Sequence, residues 1–371
     1  MANKLNFDVE FLPVGEGSAA GDAIVISYGG DRPEEVMIVD GGTKDSGEKM
    51  VEHINECFGL NTIISHIVCS HPDSDHSSGL RVILDNFQVN NLWVHALWYH
   101  AEDIIHLFND KRWTTEGLSK AIKSEYSIID ELISTAYSKG INVYEPFQGS
   151  QIGPFTVLSP TKYVYQHLLA QFRKTPDPDV NYLQSVNMWL EPRKGLFASL
   201  LEKAIQLVPE TWEFETLRDG GVTAAENETS TVLFGDFGDS AVLLTADAGI
   251  NALSWSYDFA NETSLDFNKL SLIQVPHHGS RNNVSPRILD AILGPKQARG
   301  MESEKMKAIV SAPKDDEKHP RKVVMNAFRR RGAPVRTTQG SKYRFHSGFP
   351  ARDGYNVAKP LEFFNEVEDY D

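Results

Sequence analysis

Short alternating and apolar runs fill the first 95 residues. Residues 7–14 alternate apolar with polar side chains. Residues 23–27 and 35–39 are apolar runs, the second ended by Asp40-Gly41-Gly42. Residues 48–58 carry helical spacing. Residues 63–69 form a β-branched run flanked by polar residues, which predicts a buried strand, and residues 92–97 predict another. From about 100 to 145 the period changes: Ile104, Phe108, Leu118, Ile122, Ile129 and Leu132 recur at helical spacing. Residues 155–159 return to strand, and residues 163–207 again predict helix around a loop at 176–179. Residues 230–234 and 240–245, joined by a Gly/Asp-rich turn, predict a β-hairpin. A strand at 270–275, a helix at 286–293, a strand at 307–311 and a helix at 321–331 follow. Residues 334–338 and 342–346 predict a final hairpin, and the acidic end, 362–371, reads as loosely held. Alternation of strand and helix with Gly- and Asp-rich turns predicts an α/β fold.

Composition narrows the class. The 371 residues are 41% apolar and 23% charged, ordinary for a folded chain able to bury a large core. No run is long and apolar enough for a membrane span, and the start MANKLNFDVEF has no apolar leader core, so no membrane association and a cytoplasmic location are expected. Cys57 and Cys69 are the only cysteines, too few for a disulfide framework, and Cys69 lies in the strand at 63–69 as a core residue. The net charge of −15 argues against bulk binding of nucleic acid. Residues 296–344 nevertheless hold 14 Lys/Arg against 5 Asp/Glu, a basic region that would suit an anionic ligand.

The chemistry concentrates in Ser70 to Gly79, SHPDSDHSSG. His71, Asp73, Asp75 and His76 lie within six positions directly after the strand at 63–69, which would set them on a tight loop at its end. Two imidazoles and two carboxylates suit one or two divalent ions. Asp40 and Asp247 each end an apolar run, His277 and His278 end a third, and His319 precedes Pro320 in a polar loop. Polar residues after successive strands gather at one edge of a sheet, where layered α/β folds place their sites.

The pattern HxDxDHxxG resembles the HxHxDHxxG signature of the metallo-β-lactamase fold, a four-layer αββα sandwich of metal-dependent hydrolases. It is closer to the metallo-β-lactamase-like domain of the bacterial competence DNA-uptake protein ComEC. Five stretches carry the likeness: FLPVGEGSAAGDAIVI with VMIVDGG, in which residues 18–21 are an insertion; SHPDSDHSSGL; NETSTVLFGDFGDSAVLLTADAG; LIQVPHHGSRNNVSP; and HPRKVVMNAFRRRGAPVRTTQG. The resemblance implies one domain of this fold over residues 1–371, with helical insertions at about 100–148 and 161–220.

It also implies a two-metal site. His71 and Asp73 would hold the first ion, and Asp75 and His76 the second. Asp247 would bridge them, and His277 or His278 would complete the second, with His277 preferred as nearer the strand end. Asp73 stands where the common signature has His, and none of His95, His100 and His106 is a convincing third imidazole. Fewer imidazoles and more carboxylate make Mn²⁺ as suitable as Zn²⁺. Asp75 would orient a metal-activated water, and His319 would protonate a leaving group or contact a phosphate. Lys322, Arg329, Arg330 and Arg331 would face a phosphate chain, at least one of the three arginines staying solvated. The inserted helices, with Trp98, Trp113, Trp189 and Trp212, would form a lid or a surface for a protein partner.

The leading expectation is a soluble phosphodiesterase or nuclease acting on a phosphate-containing substrate, including single-stranded nucleic acid. Hydrolysis of a small ester, lactone or nucleotide is the second. A partner or sensor subunit of a bacterial defence or regulatory complex, with a structural metal site, is the third. The spanless sequence does not carry over the uptake-channel role, and oligomeric state is not legible in it.

Overall fold

A computed structural model describes residues 4–15, 20–190, 210–263 and 265–368. Parts of the insertion at 18–21, of the predicted helix at 163–207 and of the acidic end lie outside the described residues. The first sheet contains β1 (Asn6–Phe11), β2 (Ala23–Gly29), β3 (Glu35–Gly41), β4 (Ile63–Val68), β5 (Gln88–Trp93) and β6 (Asn142–Tyr144). The second contains β7 (Gln151–Ile152), β8 (Phe155–Ser159), β9 (Val232–Asp236), β10 (Ala241–Leu244), β11 (Leu270–Gln274), β12 (Lys307–Val310) and β13 (Val335–Thr337). The last strand, β14 (Tyr343–Ser347), returns to the first sheet. The spatial orders are β14-β1-β2-β3-β4-β5-β6 and β13-β12-β11-β10-β9-β8-β7.

Strand alternation builds the layers. Phe7, Val9, Phe11, Ile24, Ile26, Met37 and Val39 face Val157, Leu233, Val242, Leu244, Leu272 and Ile309 of the other sheet in one buried core. On the outer face of the first sheet, Val25, Ile38 and Ile64 pack with Met50 and Ile54 of helix α1 (Lys44–Phe58) and Leu80, Ile83 and Leu84 of helix α2 (Ser74–Asn86). On the outer face of the second, Phe234, Leu243 and Val310 meet Leu253, Leu289 and Phe328 from helices Ile250–Glu262, Pro286–Leu293 and Lys322–Arg330. The result is the expected αββα sandwich. Helices Thr115–Glu125, Ser127–Ser138 and Lys162–Leu169 extend the first outer core, in which Trp98 is buried and Trp113 half-buried. Among the described residues, no helix is long and apolar enough to cross a membrane.

Three expectations need correction. The final hairpin does not form: β13 pairs with β12 at the edge of the second sheet, while β14 pairs antiparallel with β1 at the edge of the first. The acidic end, as far as residue 368, is tied down. Phe364 exchanges hydrogen bonds with the Asn326 side chain, and Glu368 accepts from the Lys322 backbone N–H, at the start of its helix. Two of the arginines expected to face a phosphate chain do not. Arg330 and Arg331 are fully buried. Arg330 pairs with Glu210 at 2.6 Å, and Arg331 donates to Asp290, Glu215 and two backbone carbonyls. Arg329 donates to the Leu361 carbonyl, and Arg344 to Asp8. Acids distant in sequence thus neutralise Arg330, Arg331 and Arg344 inside the protein, while Lys314, Lys318 and Lys322 stay exposed.

The outward face of β1 carries a second buried polar network. Glu10 accepts from Arg352 at 2.6 Å, from the Tyr355 hydroxyl, and contacts His53 of α1 at 3.1 Å. Burial alone would raise Glu10, but its partners bring it down to about 2. Burial alone would lower His53, but Cys57 and Glu10 raise it to about 9. The stability due to His53 is therefore full below its ordinary value of 6.5 and is lost as pH rises through 9. The share due to Glu10 is present above 4.5 and is lost only as pH falls through about 2. Urea midpoints measured against pH should show His53→Gln flattening the decline between pH 6.5 and 9; parallel curves for variant and parent would refute the assignment.

Candidate metal centre

Parallel pairing sets the site at one edge. β3 and β4 run side by side, so Asp40 at the end of one comes beside Ser70 and His71 after the other. β10 and β11 are also parallel, which brings Asp247 beside His277 and His278. The Thr231 N–H donates to the Ser70 carbonyl and ties the two sheets together at this point. His71 lies on the loop after β4, as expected. Asp73 is the residue before α2, and Asp75 and His76 are in that helix's first turn rather than on a loop.

Tight turns hold the site. Asp40, Ala246, His277 and His278 have positive φ, between 44° and 55°; among the described non-glycine residues only Asn187 shares that property. Such backbone is strained and persists where its surroundings impose it. Here Gln274 Oε1 accepts from the N–H groups of Thr245 and Ala246, and the His277 N–H donates to the Ala246 carbonyl.

Each buried imidazole has its Nδ1 engaged. His71 Nδ1 lies 3.0 Å from Ser70 Oγ, which donates to Asp40 at 2.6 Å. His76 Nδ1 lies 2.8 Å from the same Asp40 oxygen, and His278 Nδ1 lies 3.0 Å from the Ser311 carbonyl. This leaves the Nε2 lone pairs of all three rings turned inward. His76 Nε2 is 3.4 Å and His278 Nε2 3.6 Å from Asp247 Oδ1, and His71 Nε2 is 3.8 Å from Asp247 Oδ2. The three Nε2 atoms and Asp247 Oδ1 are buried, and none has a hydrogen-bond partner among the described residues. Buried polar atoms are rarely left so unless a ligand satisfies them. Three imidazoles oriented through Nδ1 and one carboxylate are the donors that a divalent ion takes, so the residues fit the metal that the sequence pattern implies.

The electrostatics agree. Burial alone would raise Asp247, yet His277, His76 and His278 hold it well below the usual carboxylate range. Burial drives His278 down to about 3 and lowers His71, leaving neutral rings with open lone pairs. His76 goes the other way: burial would lower it, but Asp247 and Asp40 raise it well above the usual value. That pull shows how strongly the pocket attracts positive charge. Behind His76, burial raises Asp22 to about 7.

The remaining candidates are dispersed around this centre. The donor atoms of Asp75, His76 and His278 lie within 4.8 Å of one another, so Asp75 belongs to the cluster. His277 is the more exposed of its pair; its Nδ1 contacts Asp247 Oδ2, and His278, not the preferred His277, turns a buried, unpartnered Nε2 inward. His319 stands at the rim, edge-on to His277 with ring centroids 6.4 Å apart and Nδ1 3.1 Å from Asp316. Asp73 is not among the clustered donors: Arg173 Nη2 donates to both its oxygens, at 2.9 and 2.7 Å. His95 and His100 gather around Glu145 and Tyr165, and His106 packs on Tyr182.

The sequence reading missed Asp22 and Arg173. Asp22 directly precedes β2 in Gly21-Asp22, the same strand-edge signal that picked out Asp40. Arg173 carries no local signal. It comes from the second insertion and, with Lys174 and Tyr126, lines a cavity of about 670 Å³ that reaches Asp73 and Asp75.

Residues 20–154 match the family model described as the metallo-beta-lactamase superfamily. No curated protein matches the chain. Among solved structures, it is similar to unliganded yeast PDE1, at 11% identity over 90% of this chain and 97% of that one, with a TM-score of 0.42. It is also similar to a putative metallo-beta-lactamase from Thermotoga maritima, at 11% identity over 66% and 79%, TM-score 0.32. A third is the metallo-beta-lactamase SMB-1 bound to 2-mercaptoethanesulfonate, at 11% identity over 77% and 86%, TM-score 0.33.

Proposed function

We propose that this chain, which has the fold of the metallo-beta-lactamase superfamily, is a metal-dependent hydrolase whose substrate is a small phosphodiester. The observation that carries the reading is the convergence of three unpartnered imidazole Nε2 atoms on the Asp247 carboxylate, those of His76 and His278 on its unpartnered oxygen and that of His71 on the other. A divalent ion bound there, Zn²⁺ or Mn²⁺, would supply a water of lowered pKa and a Lewis acid for the oxygen that gains charge.

The chain's own residues do the rest. Asp40 fixes His76 directly and His71 through Ser70, so both rings are set before substrate arrives. Asp75 would hold the ion and orient the attacking water. His319, held by Asp316, carries a proton at the rim or contacts a phosphate oxygen. The cavity beside Asp75 supports a small substrate, with Lys174 and Arg173 in its wall. Engagement of Arg330, Arg331, Arg336 and Arg344 with acids of the protein reduces the positive charge open to a nucleic acid strand, and the net charge of −15 adds to this.

Protein loaded with Mn²⁺ or Zn²⁺ would be assayed on bis(p-nitrophenyl) phosphate, cyclic mononucleotides, a single-stranded oligonucleotide, p-nitrophenyl acetate and a lactone. Diester turnover that chelation removes is expected, with little on the oligonucleotide. His319→Ala should lower kcat by about a hundredfold. Turnover of acetate or lactone with none of any diester would overturn the phosphodiester reading in favour of the small-ester one.

A further inference from the structure

Resting on the reading of the strand-end cluster as a metal centre, we infer that Arg173 is a positioning residue of that centre: it latches the first turn of α2, which carries Asp75 and His76, to the short helix Ala225–Glu228. The first sign is a bond that Asp73 does not make. It stands immediately before α2, where an aspartate ordinarily accepts from the free N–H groups of the helix. The Asp73 side chain makes no such capping bond. Both its oxygens accept instead from Arg173 Nη2, at 2.9 and 2.7 Å. The Asp73 carbonyl still accepts from the N–H groups of His76 and Ser77. Holding Asp73 therefore holds the turn that presents Asp75 and His76.

The other end of the latch is buried. The Arg173 backbone N–H and Nε both donate to Glu226 Oε1, at 2.7 and 3.1 Å, and the Glu226 side chain is 2% exposed. Glu226 belongs to a single helical turn whose successive side chains reach different parts of the site. Asn227 Nδ2 lies 3.2 Å from His277 Nδ1. Glu228 accepts from the Ala252 N–H, near the start of helix Ile250–Glu262. Through Arg173 this turn is joined to α2. The Asp247, His277 and His278 side of the centre is thereby tied to the Asp75 and His76 side at a second point, beyond the bond from Thr231 to Ser70. A guanidinium suits the task, since it stays charged at every working pH and its planar fork fixes the carboxylates it binds. The Arg173 side chain is 61% exposed, so its ion pairs add little to global stability. Their effect is on placement.

The test reads the ion and the helix turn separately. Arg173→Ala keeps the backbone N–H that bonds Glu226 and removes the tie to Asp73. Its affinity for Mn²⁺ should fall about tenfold, as loss of the outer contacts of a metal site does. The absorption bands of bound Co²⁺ should shift, with the urea midpoint nearly unchanged. In metal-free protein the amides of His76 and Ser77 should exchange faster than in the parent, and those of helix Pro286–Leu293 at the parent rate. Asp73→Ala should match Arg173→Ala, and the double variant should be no worse than either, because the two residues act through one contact. Unchanged Mn²⁺ affinity and Co²⁺ bands in Arg173→Ala would overturn the inference. Additive losses in the double variant would do the same, as would loss of bound ion in Asp73→Ala alone, which would make Asp73 a ligand. A raised KM at unchanged kcat and metal affinity would make Arg173 a substrate contact instead. A parent that binds neither Mn²⁺ nor Co²⁺ would overturn the metal-centre reading itself, and amide exchange alone would then show whether Arg173 holds α2.

Discussion

Asp75→Ala is expected to abolish hydrolysis in a protein that still folds. The side chain sits in the first turn of α2, half-buried, and reaches the His76 and His278 donors rather than an apolar core. Its removal opens no core cavity. The structural cost is that of one carboxylate at a helix N-terminus, about 0.3–1 kcal/mol. The functional cost expected from the proposed function is far greater, because the variant would lose a ligand together with the group that would orient the water. A fall in kcat/KM of at least about a thousandfold corresponds to several kcal/mol of transition-state stabilisation. Urea midpoints and steady-state kinetics on the same preparation separate the two. Full turnover by a folded Asp75→Ala protein would place the chemistry elsewhere.

Gly79→Ala should damage both stability and activity, from a residue that touches no ligand. A Cβ at position 79 would stand 1.9 Å from the Gly41 carbonyl oxygen and 2.7 Å from that of Thr43. Both obstacles are backbone, so they cannot rotate away. The Gly79 N–H also donates to the Gly42 carbonyl at 3.0 Å. This close approach holds α2 against the turn after β3, and that turn carries Asp40, the anchor of His76. Relief of the clash requires α2 to move by about 1 Å or more. Overpacking of this kind costs about 3 kcal/mol, and a shift of that size at a reacting centre costs about a hundredfold in rate. A variant that melts and turns over like its parent would show that the contact does not position the site.

Much of this architecture was legible because strands announce themselves locally. The runs at 63–69, 155–159 and 307–311 fall on β4, β8 and β12. The helix at 286–293 coincides with Pro286–Leu293, where Ser285 caps the start by accepting from the Ile288 N–H and Pro286 takes the first position. Helix α2 was overlooked because the ligand residues drew the reading toward a loop, although Leu80, Ile83, Leu84 and Phe87 have helical spacing. The strand-end acids Asp40 and Asp247 were visible for the same reason the strands were. What could not be seen is long-range pairing. Arg173 and Asp73 are 100 positions apart, and nothing near either marks the other. The basic stretch failed likewise: local charge was counted correctly, but Glu210, Glu215 and Asp8, far away in the chain, neutralise Arg330, Arg331 and Arg344.

The separation of β13 from β14 has a meaning for how this protein is made. β1 emerges from the ribosome long before one of its two neighbours, β14; Arg344 of β14 closes on Asp8 across 336 positions. Until then the nascent first sheet carries an unpaired edge with two buried-type acids, Asp8 and Glu10, still lacking the arginines that neutralise them. An open strand edge invites pairing with another chain, and contacts of such long range form slowly. Charge on an edge strand discourages foreign strands from adding to it, and Asp8 and Glu10 supply such charge on β1. The same carboxylates that bind Arg344 and Arg352 in the finished sheet are charges of the kind that discourage pairing at an open edge.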